Sequence, residues 1–375
     1  MPVLLLEHGA HLLRTLPAGH YRLEFDLPLP IHCARSRTPN VCRESLPLDV
    51  FFYEAFAEET DALRRCLPSG IRAGFTPNTI GENLDQEPPA ALISIRTQSV
   101  IPLNWEKSIK GILTRSTGFD HVNRYLAEIG KPIPAGYLPL YCSRSVAEHA
   151  MLMWMSLLRK LPRQINNFRS FNRDGLTGRE CAGKVLLVVG VGNIGYEVYR
   201  IGQALGMEAL GVDIVHRHSG VRYVTIDEGL LRADIIVCAM NLTEENRGYF
   251  HYRLLNQARP GVVFVNIARG ELSPTNDLLR FLKEGQLSGA GIDVYENESE
   301  LATALRSGSN GTTSDLVAAT LELSRHEDVI LTPHNAFNTA EALERKARQS
   351  IEQVEHFLKN GTFLWPVPYE VSGEK

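Results

Sequence analysis

From residue 185 onward, unbroken apolar runs of strand length alternate with stretches whose apolar residues recur at helical spacing. The runs Val185–Val189, Ala209–Val212, Ile235–Ala239, Val262–Asn266, Gly289–Asp293 and Val329–Thr332 predict strands. Between them Asn193–Leu205, Thr225–Leu231, His251–Ala258 and Asn276–Glu284 predict helices. This rhythm argues for an α/β fold with a doubly wound parallel sheet. Earlier in the chain, Pro2–Leu6, Ala90–Ile95 and Gly111–Thr114 read as strands and Phe56–Leu67 as a helix. A long apolar helix is expected over Val146–Leu161, stopped by Pro162 and suited to a buried position between two domains. The Ser/Thr/Gly-containing stretch Glu300–Asp328 reads as an excursion over the surface with one or two short helices. Ala340–Leu358 is amphipathic and is expected to pack back on the first domain. The expected domains are therefore residues 1–145 with 336–375, discontinuous, and residues 146–335.

Composition narrows the function. The chain has 375 residues, enough for two domains, and a net charge of −4, which leaves no electrostatic footprint for nucleic acid or an anionic membrane. Cys33, Cys42, Cys66, Cys142, Cys181 and Cys238 are scattered without a Cys-x-x-Cys, so neither a zinc site nor a disulfide framework is suggested. His8 and His11 have no evident third ligand, and no metal is expected. The start lacks a basic segment and a long apolar run, and Ala150–Leu158 is too short to span a bilayer. The expectation is a cytoplasmic protein with reduced thiols.

The strand at Val185–Val189 runs into Gly190-Val191-Gly192-Asn193-Ile194-Gly195, a Gly-x-Gly-x-x-Gly that opens a helix, and Asp213 closes the next apolar run. Gly190 permits a tight turn, Gly192 lets backbone N–H groups approach a pyrophosphate, and Gly195 lets helix and sheet pack closely. The helix N-terminus offers unpaired donors to the phosphates. Asp213 can accept from both ribose hydroxyls and would repel a 2′-phosphate, which favours NAD over NADP. His216, Arg217 and His218 lie just beyond.

A nicotinamide enzyme must also orient a substrate, polarise its carbonyl and move a proton. Arg269, Glu298 and His334 follow the strands ending near Asn266, Asp293 and Thr332, at the carboxyl edge where such sheets bind ligands. The segments Val265-Asn266-Ile267-Ala268-Arg269-Gly270-Glu271, Gly291-Ile292-Asp293-Val294-Tyr295-Glu296-Asn297-Glu298 and Thr332-Pro333-His334-Asn335-Ala336-Phe337 carry these residues in one order. In them the chain resembles the D-isomer-specific 2-hydroxyacid dehydrogenases, and among these the NAD-dependent D-lactate dehydrogenases, over roughly residues 90–365.

The resemblance implies a Rossmann-type domain for NAD and a flavodoxin-like substrate domain. It implies that Arg269 holds the substrate, that His334 is the general acid–base, and that Glu298, rather than Glu296, orients the imidazole. Met240, Asn241, Thr243, Ala268 and Asp293 fall at cofactor-facing positions, with Asn241 where proline is common. Backbone N–H groups near Ile95 and Arg96 and at Thr117 and Gly118 are expected to form an anion pocket, with Tyr141 and Phe337 near the substrate. His149 is expected to be a packing or hydrogen-bonding residue. The expected reaction is hydride transfer from NADH to a small 2-oxo acid, pyruvate to D-lactate first, by a homodimer formed through the cofactor domain. A larger 2-oxo acid, or an NAD(H)-sensing binding protein of the same fold, are the rival readings.

Overall fold

The computed structural model of the chain describes residues 47–307 and 314–368. Its strands β1 (Val50–Phe52), β2 (Ala73–Phe75), β3 (Leu92–Ile95), β4 (Gly111–Thr114) and β5 (Ala135–Gly136) form one parallel sheet in the order β2-β1-β3-β4-β5, the flavodoxin-like arrangement. Strands β6 (Val185–Val189), β7 (Glu208–Val212), β8 (Ile235–Cys238), β9 (Val262–Asn266), β10 (Leu287–Ile292) and β11 (Val329–Leu331) form a second parallel sheet, ordered β11-β10-β9-β8-β6-β7. A parallel bridge between Gly211 and Tyr223 extends it past β7. Strand order reverses between β6 and β8, and a crevice for a ligand opens outside the strand ends there.

The apolar runs of the second sheet form the strands expected of them, to within two residues. Their central positions are fully buried because helices cover both faces. The short strands β1, β2 and β5 carry no signal of their own, because two or three residues show no periodicity. The strand expected at Pro2–Leu6 lies outside the described residues. His251–Ala258 shortens to a single helical turn, Tyr252–Leu255.

Two expectations are corrected. Pro162 does not stop the long helix. That helix runs Ser143–Leu158, the chain turns at Lys160 with φ of 51°, and Pro162 sits in the first turn of the next helix, Leu161–Asn167. There its missing N–H has no intrahelical acceptor to lose. Nor is the stretch before β11 a surface excursion. It forms two helices, as expected, Glu298–Ser307 and Asp315–Leu323, but the second buries Val317, Ala319, Thr320 and Leu323, of which Ala319 and Leu323 join the core of the second sheet.

Helix Ala340–Asn360 buries Ala342, Leu343, Lys346, Ala347, Ser350, Ile351, Val354 and Phe357, a continuous stripe at helical spacing. It packs on helix Ala57–Cys66 and on β4, where a Cβ at Gly111 would lie 2.3 Å from the Phe357 ring. Helix Ser143–Leu158 packs against helix Asn193–Ala204 and against β9 and β10. The carboxyl ends of both sheets therefore meet across one cleft.

Candidate active site

His334 follows β11 in a tight turn and has φ of 52°, uncommon for a residue with a Cβ. Asp293, at the end of β10, holds that turn. It accepts from Thr332 Oγ1 at 2.6 Å, from the Asn335 N–H at 2.8 Å and from the Ala336 N–H at 3.0 Å. Three fixed donors on one carboxylate offset the strain at one residue. His334 Nδ1 lies 2.8 Å and 3.0 Å from the two oxygens of Glu298, the first residue of its helix. Burial pushes the Glu298 carboxyl up, but the His334 charge and hydrogen bond, with Gln98 and Arg269, hold it below the usual range. Glu296 is engaged elsewhere, accepting the Thr275 N–H at 2.7 Å and capping helix Thr275–Lys283. Of the two carboxylates, Glu298 is the one placed against His334.

Gln98, which no sequence motif singles out, donates to Glu298 Oε1 at 3.0 Å from the loop after β3. Arg306 in turn donates to Gln98 at 3.3 Å and pairs with Glu82 at 2.9 Å. The His334–Glu298 pair is thus braced from the first sheet. His149 lies 3.1 Å from Thr332 Oγ1, the hydrogen-bonding part expected of it.

Arg269 follows β9, and its loop is shaped by Asn266. The Asn266 amide donates to Arg269 O and Ser273 Oγ, both at 2.8 Å, and accepts the Ala268 N–H at 3.0 Å. Arg269 Nε donates to Asp120 at 3.0 Å and Nη1 to Ala268 O at 2.9 Å, while the buried Nη2 has no partner among the described residues. Burial would raise Asp120, but Arg269 and His121 keep it low, so it remains a counter-ion. The Nη2 end of the guanidinium abuts Gly118, where a Cβ would stand 1.6 Å from it. Nothing in the sequence around Asp120 signals this pairing, because its partner lies on the other sheet.

The two halves of the site open on different cavities. His334 and Glu298 line one of about 320 Å³, with Glu54, Phe56, Arg96 and Gln98. Arg269 lines one of about 110 Å³, with Thr117, Gly118, Ile194, Met240, Asn241 and Ala268. This second cavity lies at the switch point. Gly190 has φ of 92°, and a Cβ there would come within 2.5 Å of the Met240 backbone. A Cβ on Gly195 would lie 1.9 Å from Gly190 O, whereas one on Gly192 would meet nothing. The loop thus presents bare backbone where a pyrophosphate would lie, and the helix starting at Asn193 points its N-terminus there. Asp213 accepts from the Val191 N–H at 2.6 Å and the Val215 N–H at 2.9 Å, which fixes its carboxylate beside the glycine turn. The residues fit a dinucleotide. Asn241, where proline is common, is pinned by Asn246, which donates to Asn241 O at 2.7 Å and accepts the Thr243 N–H at 2.8 Å.

Several expected ligand contacts are corrected. Asp293 is 1% exposed, and its oxygens hold the histidine turn rather than an open face. Ile95 is buried in β3. The Arg96 N–H is not free: it donates to Glu54 at 2.9 Å, and Gln98 and Ser99 donate their N–H groups to the same carboxylate at 3.1 Å each. Glu54, itself at φ of 53°, fills the place where an anion was expected. Tyr141 and Phe337 are buried and pack edge-to-face at 6.3 Å, behind the larger cavity rather than lining it. Thr117 and Gly118 do line the smaller cavity, and their N–H groups meet no acceptor among the described residues.

Beneath Phe337 lies a buried ionic group. Glu59 Oε1 is 2.8 Å from both Arg115 Nε and Lys346 Nζ, and all three side chains are at most 1% exposed. Burial would raise Glu59, but Lys346, Arg115 and Arg96 draw it down to about 2. Both cations fall on Oε1, and Oε2 has no partner among the described residues; Lys346 makes the close ion contact without an aligned hydrogen bond, and burial lowers it to about 7.

Residues 150–336 match the model of the D-isomer specific 2-hydroxyacid dehydrogenase, NAD binding domain. The chain is 31% identical over 271 residues to a D-lactate dehydrogenase of Streptococcus agalactiae, covering 70% of this chain and 81% of the relative. It is 33% identical over 261 residues to one of Escherichia coli, covering 68% and 78%. The fold matches a solved D-lactate dehydrogenase from Aquifex aeolicus, complexed with NAD and lactic acid, with a TM-score of 0.73 and 29% identity, over 84% of this chain and 98% of that one. The chain belongs to the D-isomer-specific 2-hydroxyacid dehydrogenases, and its cofactor is NAD.

Proposed function

We propose that this member of the D-isomer-specific 2-hydroxyacid dehydrogenases reduces a small 2-oxo acid to the D-2-hydroxy acid, and that pyruvate is the first acid to try, from the names of its relatives. The observation that carries the reading is the His334–Glu298 pair at 2.8 Å across a cleft from the half-buried Arg269, whose Nη2 has no partner among the described residues. NADH, when bound, supplies the hydride. Gly190, Gly192, Asn193, Ile194 and Gly195 would hold its pyrophosphate, Asp213 its ribose, and Met240, Asn241, Thr243 and Ala268 the far end.

The chain's own residues do the rest. Glu298 takes the Nδ1–H of His334, which leaves Nε2 to give a proton to the carbonyl oxygen as it gains electrons. Arg269 offers Nη2 to the substrate, and the N–H groups of Thr117 and Gly118 add donors for its carboxylate. In the oxidative direction the same Nε2 accepts the hydroxyl proton.

Residues 47–145 with 336–368 serve as the substrate domain, and the second sheet as the cofactor domain. The chain works as a homodimer in the cytoplasm. Leu161, Ile165, Phe168 and Phe171, exposed in a row after the long helix, supply the apolar surface for assembly, while most of that helix is buried within the subunit. Among the described residues no helix is long and apolar enough to cross a membrane.

The test is NADH consumption against a panel of 2-oxo acids, with NADPH in parallel and chiral analysis of the product. Turnover with NADH to a D-product is expected. NADH binding without turnover of any acid would refute the reading and favour a sensor. Light scattering at several concentrations tests the dimer.

A further inference from the structure

The larger cavity holds a cation that the reaction above does not use. The Arg96 guanidinium lines it beside His334 and Glu298. Its Cζ lies 4.5 Å from the Phe337 ring centre and 5.7 Å from that of Phe56, so two aromatic rings hold it in place. It has no hydrogen-bond or ion-pair partner among the described residues, whereas the neighbouring Arg306 is engaged by Glu82 and Gln98. Glu54 lines the same cavity, but its oxygens are taken by three backbone N–H groups.

Further basic groups lie behind the ring. The Phe337 ring also meets the Lys346 ammonium, 4.8 Å from its centre, and the single carboxylate of Glu59 is shared by Arg115 and Lys346. The rest of the wall is largely polar: Thr79, Thr97, Gln98, Asn335 and Asn338. A hydrocarbon tail here would strip water from these groups and return no hydrogen bond, a cost that rules against branched or aromatic substrates. At about 320 Å³ the cavity falls within the range of small-molecule sites, roughly 300–1,000 Å³, and has more room than a three-carbon acid fills.

We propose that this cavity takes a 2-oxo acid whose tail ends in a second carboxylate, and that the Arg96 side chain is the partner of that tail. The inference rests on the reductase reading above, with the reacting end of the substrate at His334 and Arg269. It moves the anion-recognising part of residue 96 from the backbone N–H, which Glu54 occupies, to the guanidinium.

The test uses substrates matched in length. 2-Oxoglutarate and 2-oxovalerate share a five-carbon chain and differ in a terminal carboxylate against a methyl. In the unmodified protein with saturating NADH, kcat/KM for 2-oxoglutarate should exceed that for 2-oxovalerate. In Arg96→Gln the ratio of the two should fall by about 10- to 100-fold, the loss expected for one charge-assisted hydrogen bond. Arg96→Lys, which keeps the charge, should recover part of that ratio. A preference for 2-oxovalerate in the unmodified protein overturns the proposal without recourse to any variant. A fall in both values that leaves the ratio unchanged overturns it too, and assigns Arg96 to the reacting carboxylate common to both acids. Turnover of neither these acids, pyruvate nor any other acid of the panel would instead refute the reductase reading itself.

Discussion

Gly118→Ala tests the placement of Arg269 with a single methyl group. The backbone at Gly118 lies outside the left-handed region, so alanine meets no conformational penalty there. The added Cβ would stand 1.6 Å from Arg269 Nη2, 2.6 Å from Cζ and 3.3 Å from Nη1. Carbon–nitrogen contact needs roughly 3.5 Å, so the guanidinium must retreat by close to 2 Å. The obstacle is the end of a flexible side chain rather than backbone, and the fold should survive with little loss of Tm. The retreat breaks the 3.0 Å bond to Asp120 and the 2.9 Å bond to Ala268 O that aim the fork. A displacement of about 1 Å in a positioning group costs on the order of 100-fold, and loss of one preorganised donor costs about 2.7–4 kcal/mol, or about 100- to 1,000-fold. The expected result is a fall in kcat/KM of at least about 100-fold, with NADH affinity by fluorescence titration and Tm close to those of the parent. Parental kcat/KM in a variant that binds NADH would show that Arg269 does not act from this position.

The two carboxylates after β10 should separate cleanly. Glu298→Gln should lower kcat/KM by about 100-fold or more and move the loss of reductase activity toward acid pH. Glu296→Ala should leave turnover within about threefold and cost about 1 kcal/mol in urea denaturation, as a lost helix cap does. Asp213→Ala removes the acceptor of the Val191 and Val215 N–H groups; the NADPH-to-NADH ratio of kcat/KM should rise, and an unchanged ratio would count against Asp213 as the ribose-facing group. Lys346 has a folded pKa lowered to about 7, below its unfolded value, so the unfolded chain binds more protons above that pH. Stability in urea should therefore rise from about pH 7 toward pH 10, and Lys346→Met should flatten that rise.

The site divides into parts that were legible in the sequence and parts that were not. Gly190 and Gly195 declare their roles locally, because a tight turn and a close helix contact each exclude a side chain, while at Gly192 the space is left open for a ligand. Arg269, Glu298 and His334 were findable because each lies in the segment after a strand of the second sheet, and strand ends of a parallel sheet converge. Asp293 shows the limit of that argument. It too ends a strand, yet it points inward to clamp the histidine turn. Glu54 and Gln98 gave no signal at all, since each acts on a segment of chain distant from itself.

The order of elements, the dinucleotide loop and the position of Arg269, Glu298 and His334 after their strands are properties of short segments and were readable from them, because periodicity, turn chemistry and strand-end position are local. What tertiary structure alone decided is which donors remain free. Glu54 reaches 42 residues along the chain to close the Arg96 N–H, and Asp120 crosses 149 residues to aim Arg269. Packing of Phe56 and Phe337 then leaves the Arg96 guanidinium facing the cavity. Whether a polar group is satisfied depends on every atom brought near it, and such proximity between distant segments exists only once the sheets and helices have packed.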